Sequence, residues 1–219
     1  MMLTALSGAV AGVFHVLSGP DHLAAVAPLA VADRKRAWFA GWTWGFGHAS
    51  GVVVVAVLGV WLRDLLPPVD HISAWGERLV GGALVALGLW GLARAARLRH
   101  TPHMHEGVPH DHVHVQAGPR WARRLGHAHA SFAVGLLHGI AGSSHFFGVL
   151  PALALPTPGA SFAYIGAFGI GTVAAMTAFA GIVGRVSARE ARVSHRGLMA
   201  TTGVAAIVVG CVWIGGAAF

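Results

Sequence analysis

The chain is poor in charge. Only 11% of its 219 residues are Asp, Glu, Lys or Arg, against about 25% in a soluble globular domain. From Leu125 to Gly184 there is none at all, although one spanning helix needs only about 20 apolar residues. These shortages exclude an ordinary soluble enzyme. Cysteine is almost missing too. Cys211 stands alone, so an internal disulfide is excluded and the redox compartment is not legible. No Gly-rich phosphate-binding loop ending in Lys-Ser/Thr occurs, so coupling to ATP would need another subunit. No basic stretch precedes the first apolar run, which argues against a cleaved signal peptide.

What is present is apolar: 55% of the residues are hydrophobic. Apolar runs predict six spans, at roughly 3–32, 37–62, 73–98, 127–155, 160–185 and 197–218. The first is interrupted at Ser18-Gly19-Pro20, and a short turn rich in Pro and Gly, "LPTPGAS", separates the fourth from the fifth. The net charge of +7 comes from arginines clustered in alternate loops. Arg34, Lys35 and Arg36 follow span one; Arg97, Arg99, Arg120, Arg123 and Arg124 follow span three; Arg185, Arg189, Arg192 and Arg196 follow span five. The positive-inside rule makes these loops cytoplasmic and puts both termini outside. This pattern is a topology signal and not a nucleic-acid footprint. The expected location is the cell (inner) membrane, as a multi-pass protein.

The third loop is dense in histidine: His100, His103, His105, His110, His112 and His114 lie within "RHTPHMHEGVPHDHVHV". With few apolar residues it is expected to be disordered without a ligand. Its His-x-His spacings suit accessory binding of a borderline transition metal; a merely solvated or pH-responsive tract is the plainer alternative.

One stretch occurs twice. "GVFHVLSGPDHLAAVAPLA" at 12–30 aligns with "GLLHGIAGSSHFFGVLPALA" at 135–154. Gly12, His15, Gly19, His22 and Pro28 match Gly135, His138, Gly142, His145 and Pro151, each pair 123 residues apart. "GFGHASG" at 45–51 echoes "GIGTVAA" at 169–175, one residue outside that offset. A repeat of three spans must return in the opposite direction. The expected fold is therefore all-α, six transmembrane helices as a 3+3 inverted-topology repeat, with the first helix of each repeat broken or irregular. Its parts are a first repeat at 1–98, a cytoplasmic His-rich loop at 99–126 and a second repeat at 127–219. Such repeats hold a substrate near the midplane on discontinuous helices.

The candidate site lies in those repeated motifs. Asp21 is the one acidic residue well inside a predicted span. Burying it costs about 2.5–3.5 kcal/mol, so it should face the interior and meet a cation. His15, His22, His48, His138 and His145 are histidines in membrane segments, and with Asp21 they form the candidate metal set. On an unbroken helix His15 and His22 would be separated by about 10.5 Å of rise, too far to share an ion at about 2.1 Å from each. Either the helix unwinds, or they serve different sites, or only one is a ligand. Ser18-Gly19-Pro20 favours unwinding, since Gly permits unusual backbone angles and Pro suits the first turn of a new helix. Asp21 then sits at a helix N-terminus, where the dipole favours a carboxylate. Imidazoles with one carboxylate suit Ni, Co, Zn or Fe better than Mg or Ca. Ser18, Ser143, Ser144 and Thr172 are candidate outer partners of the ligands; hydrogen bonding to neighbouring helix backbone is the plainer reading.

"HVLSGPDHLAA" followed by "GFGHASGVVVV" resembles the nickel/cobalt transporter superfamily, with its UreH-like branch. By position, the resemblance puts the family's first motif on His15, Asp21 and His22 and its second on His48. One departure is that five residues, not four, separate His15 from Asp21. The resemblance implies transport of Ni²⁺ or Co²⁺. The expected function is a permease with no catalytic residue and no cofactor, whose substrate is the metal ion: Ni²⁺ or Co²⁺ first, then Zn²⁺ or Fe²⁺. Its partners are that ion and the lipid bilayer, with no nucleic acid; a homo-oligomer and a cytoplasmic metallochaperone are both compatible. The alternative is an integral-membrane metalloenzyme, a hydrolase using the same His/Asp cluster. A serine protease on Ser143 or Ser144 and a metal sensor using the His-rich loop are weaker still.

Overall fold

The computed structural model describes residues 1–62, 69–105, 108–114, 120–141, 148–189 and 195–216. The membrane part is helical. α1 (Met2–Ser18) and α2 (Pro20–Ala32) are two halves of one apolar run, bent by 74° at Gly19. A short 3₁₀ turn, Arg34–Arg36, leads into α3 (Ala37–Leu62), followed by α4 (Val69–Arg97). Strands β1 (Arg99–His105) and β2 (Val108–His114) come next. The second half holds α5 (Arg120–Ala141), the single turn α6 (Leu150–Leu153), α7 (Pro158–Arg189) and α8 (His195–Gly216). Among the described residues four helices are individually long and apolar enough to cross a membrane, and the bent α1–α2 pair passes as a fifth span. These are the helices of a membrane-embedded protein.

One expectation fails. The His-rich segment is not formless: β1 and β2 pair as an antiparallel hairpin with His103 opposite His110. Its composition is poor in apolar residues, and the pairing rests on the backbone ladder of two short edge strands, on which Pro102 and Pro109 are tolerated.

α2 is the centre of the molecule. Of its 13 residues, Asp21, His22, Ala24, Ala25, Val26, Pro28, Leu29, Ala30 and Val31 are buried, as expected of a helix that is apolar all round. Its neighbours are α7, α8, α3, α4 and α5. Its ends are matched to the helix dipole. Asp21 lies in the first turn, and at the other end Arg94 Nη2 donates to Ala32 O at 3.4 Å. Nearby, Arg34 Nη1 donates to Ser187 O at 3.1 Å, tying the loop after α2 to α7.

Around α2 the long helices pack through small residues, which let backbones approach where lipid gives no hydrophobic drive to association. α1 runs parallel to α7, with Gly8 against Tyr164 O, Gly12 against Phe168 O and Gly171 against Ala9 O. α3 runs parallel to α5, with Gly47 against Phe132 O and Gly135 against Trp44 O. Ser131 Oγ adds a hydrogen bond to Ala40 O at 2.7 Å. α4 and α8 run antiparallel, Gly81 meeting Gly210 and Gly88 meeting Gly203. α3 and α7 cross antiparallel, with Gly45 beside Val173 and Gly169 beside Ala49.

Candidate metal centre

The break at Gly19 does what the sequence reading asked of it. It folds α2 back so that the His15 and His22 rings lie 4.4 Å apart, edge to face. The reason for glycine is different from the one expected. Gly19 has φ −91° and ψ 101°, ordinary extended angles. What it lacks is the Cβ, which would run into His22 Nδ1 and stand 3.0 Å from Asp21 Oδ1. Space, not backbone freedom, selects Gly here. Pro20 opens α2, and the backbone N–H groups of His22 and Leu23 return to Gly19 O at 3.2 and 3.4 Å.

α3 brings in the third imidazole. His22 Nε2 and His48 Nε2 are 3.4 Å apart. Two nitrogens held at about 2.1 Å by one tetrahedral ion would be separated by about 3.4 Å. One ring nitrogen from each of His15, His22 and His48 falls within a 4.8 Å group, and all three residues are buried. Asp21 stands behind this group. Its Oδ1 accepts from His22 Nδ1 at 2.9 Å. That bond fixes the tautomer and turns Nε2 toward His48, the arrangement that orients metal-binding histidines in general.

His138 enters from α5 on the far side of Asp21. Its Nδ1–H donates to Val134 O at 3.1 Å, leaving Nε2 as the lone-pair nitrogen, 4.0 Å from Asp21 Oδ2. Thus four of the membrane histidines and the acid, drawn from α1, α2, α3 and α5, converge in one buried place. His145, Ser143 and Ser144 lie outside the described residues. Thr172 is fully buried on α7, one turn beyond Phe168, with its backbone against Gly12. Ser18 does not join: it is exposed and its Oγ bonds Phe14 O at 2.8 Å within α1. That is the plainer alternative for an intramembrane serine.

In the hairpin the backbone register sets His103 opposite His110, His100 opposite Val113 and His105 opposite Val108.

The sequence reading missed Trp44. The indole is wholly buried. It stacks on His48 at 5.2 Å, and its centroid is 5.4 Å from that of His22 and 5.3 Å from that of His138. Phe168 packs on His15 in a similar way, at 5.5 Å. The available signal was spacing. Trp44 precedes His48 by four residues, so the two share a helix face.

A helical membrane protein with a buried imidazole and carboxylate centre is what the fold and site define. No family profile matches the chain, and no solved structure matches it. Among curated proteins it is 35% identical over 189 residues to Chloroplast protein FOR GROWTH AND FERTILITY 1 of Arabidopsis thaliana, covering 85% of this chain and 51% of that one. With FOR GROWTH AND FERTILITY 2 of the same plant it shares 34% identity, over 85% of this chain and 48% of the relative. The chain thus spans about half the length of these plant proteins. Urease accessory protein UreH of Bacillus sp. (strain TB-90) is 28% identical over 210 residues, 93% of this chain and 86% of UreH. The UreH-like part of the resemblance drawn from the motifs therefore has a distant counterpart, while the plant relatives share more identity. None of these names describes a catalyst.

Proposed function

We propose that the protein is a secondary permease for a divalent transition metal ion, Ni²⁺ or Co²⁺ foremost, with the ion as substrate and no cofactor. The observation that carries this reading is the buried group His15, His22 and His48, with nitrogens within 4.8 Å and Asp21 set against His22. Ionisable groups inside a membrane protein are costly and mark ion pathways. Three imidazoles suit a borderline metal by donor softness. The distant similarity to UreH and the resemblance to nickel/cobalt transporters favour the same class.

The inverted repeat is part of the proposal, and the packing supports it. With first spans offset by 123 and second spans by 124, Gly12 against Phe168 O becomes Gly135 against Trp44 O. Gly171 against Ala9 O becomes Gly47 against Phe132 O. Gly8 against Tyr164 O becomes the Ser131 to Ala40 hydrogen bond. Three contacts that exchange under one rule are what two inverted halves produce. In this reading the protein sits in the cell membrane with both termini outside and the hairpin in the cytoplasm as an accessory metal binder, a reading supported by the basic loops after spans one, three and five. The hydrolase alternative would use the same His/Asp cluster, and the relatives' names point instead to accessory and growth proteins.

Flux of Ni²⁺, Co²⁺, Zn²⁺ and Fe²⁺ into proteoliposomes, with and without a pH gradient, tests the reading. The expected result is saturable uptake of at least one ion that His22→Ala abolishes while still inserting. Flux unaffected by His22→Ala would overturn it.

A further inference from the structure

The carboxylate of Asp21 has two oxygens in different situations. Oδ1 is committed to His22 Nδ1. Oδ2 faces His138 Nε2 across 4.0 Å, and neither atom has a hydrogen-bond partner among the described residues. Both side chains are 1% exposed or less. Because the proton of His138 is committed on Nδ1 to Val134 O, two electron-pair donors confront each other in the interior. Such a pair is costly unless a cation lies between them. The gap is too long for an N–H···O bond, which spans about 2.7–3.2 Å. An ion about 2.0–2.2 Å from each atom fits between them at a wide N–metal–O angle, and the tetrahedral separation of about 3.4 Å is reached if the two side chains close by a few tenths of an ångström.

We propose that Asp21 Oδ2 and His138 Nε2 form a second station for the same divalent ion, filled in alternation with the His15, His22 and His48 station. This inference deepens the permease reading and rests on it. The two stations share Asp21, which orients a ligand of the first through Oδ1 and binds at the second through Oδ2. The His22 and His138 ring centroids are 5.8 Å apart, so the stations are neighbours, and Asp21 is the one buried acid among the described residues that could balance a dication there. One ion is therefore handed from one station to the other. Trp44 lies against His22 and His138 alike, an apolar wall common to both stations. His15 and His138 occupy equivalent repeat positions, so the transfer runs from the first-span histidine of one repeat toward that of the other.

The test uses Co²⁺ as probe on the full-length chain with the six hairpin histidines replaced by serine. Binding stoichiometry, the visible absorption spectrum of bound Co²⁺ and flux in proteoliposomes are read together. The parent is expected to bind one ion. His138→Gln keeps one ion with the parental spectrum. His48→Ala keeps one ion more weakly, with a shifted spectrum as carboxylate replaces imidazole. The double variant binds none, and each single variant loses flux at least tenfold because the ion cannot be handed on. Should His138→Gln fail to insert, His138→Asn is held to the same outcomes. If His48→Ala binds no ion, or if His138→Gln transports like the parent, the second station is overturned and the three-histidine site stands. If the parent binds none of Co²⁺, Ni²⁺, Zn²⁺ and Fe²⁺, the permease reading itself fails and takes this one with it.

Discussion

Asp21 is where residue chemistry is most concentrated. In sequence it is an acid beside a helix breaker; in the fold it is the hinge of the site, touching His22 through one oxygen and facing His138 with the other. Asp21→Asn keeps size but gives up the charge and half the acceptor capacity. Loss of a carboxylate that orients a ligand histidine usually lowers metal affinity about 10–100-fold. A drop of at least that size in equilibrium Ni²⁺ binding is expected, with the helical circular dichroism unchanged; parental affinity would contradict the site. Gly19→Ala adds one methyl, and it collides with His22 Nδ1. Metal binding should weaken while His15 and His48 keep their places, detectable as a loss of affinity with insertion intact. Gly19 was legible as a break, but not as a matter of space, because the ring that fills the space arrives only when α2 folds back.

At the scale of elements, close helix contacts carry the packing. Gly12 and Gly135 each sit on a facing carbonyl, of Phe168 and Trp44. Gly12→Val and Gly135→Val should each force α1 from α7 or α3 from α5, at a cost of about 1–3 kcal/mol. Thermal denaturation in detergent should show both lowering Tm, and by similar amounts if the two contacts are equivalent. A large effect at one and none at the other would argue against the repeat. The hairpin belongs to this scale as well. Replacing His103, His105, His110, His112 and His114 by serine should reduce the number of Ni²⁺ ions bound per chain, read by equilibrium dialysis. Composition alone made this segment look formless; the strand pairing brings His103 opposite His110 in the backbone register.

For the whole molecule the question is orientation. Basic loops after spans one, three and five predict a hairpin inside and a C-terminus outside. A reporter inserted between the hairpin strands should be shielded in intact cells, and one fused after residue 219 accessible. The reverse pattern would overturn the orientation and leave the repeat standing; both reporters on one side would break the repeat. The chain alternates direction through its helices, since α1 parallels α7, α3 parallels α5, and α4 opposes α8.

The sequence by itself placed long apolar helices, because apolar length has to match a bilayer whose thickness is set independently of the fold: four such helices and the bent α1–α2 pair stand among the described residues. It determined the break as well, since Pro20 lacks the N–H to continue a helix. It singled out His15, Asp21, His22, His48 and His138, as polar groups in an apolar run have no other plausible place than the interior. Only the tertiary structure decided which of them meet. His48 and His138 come from different helices, and no local pattern encodes the 3.4 Å between His22 and His48 or the 4.0 Å between Asp21 and His138. It alone sent Ser18 outward and Trp44 inward, because the side a helix buries depends on which partner covers it.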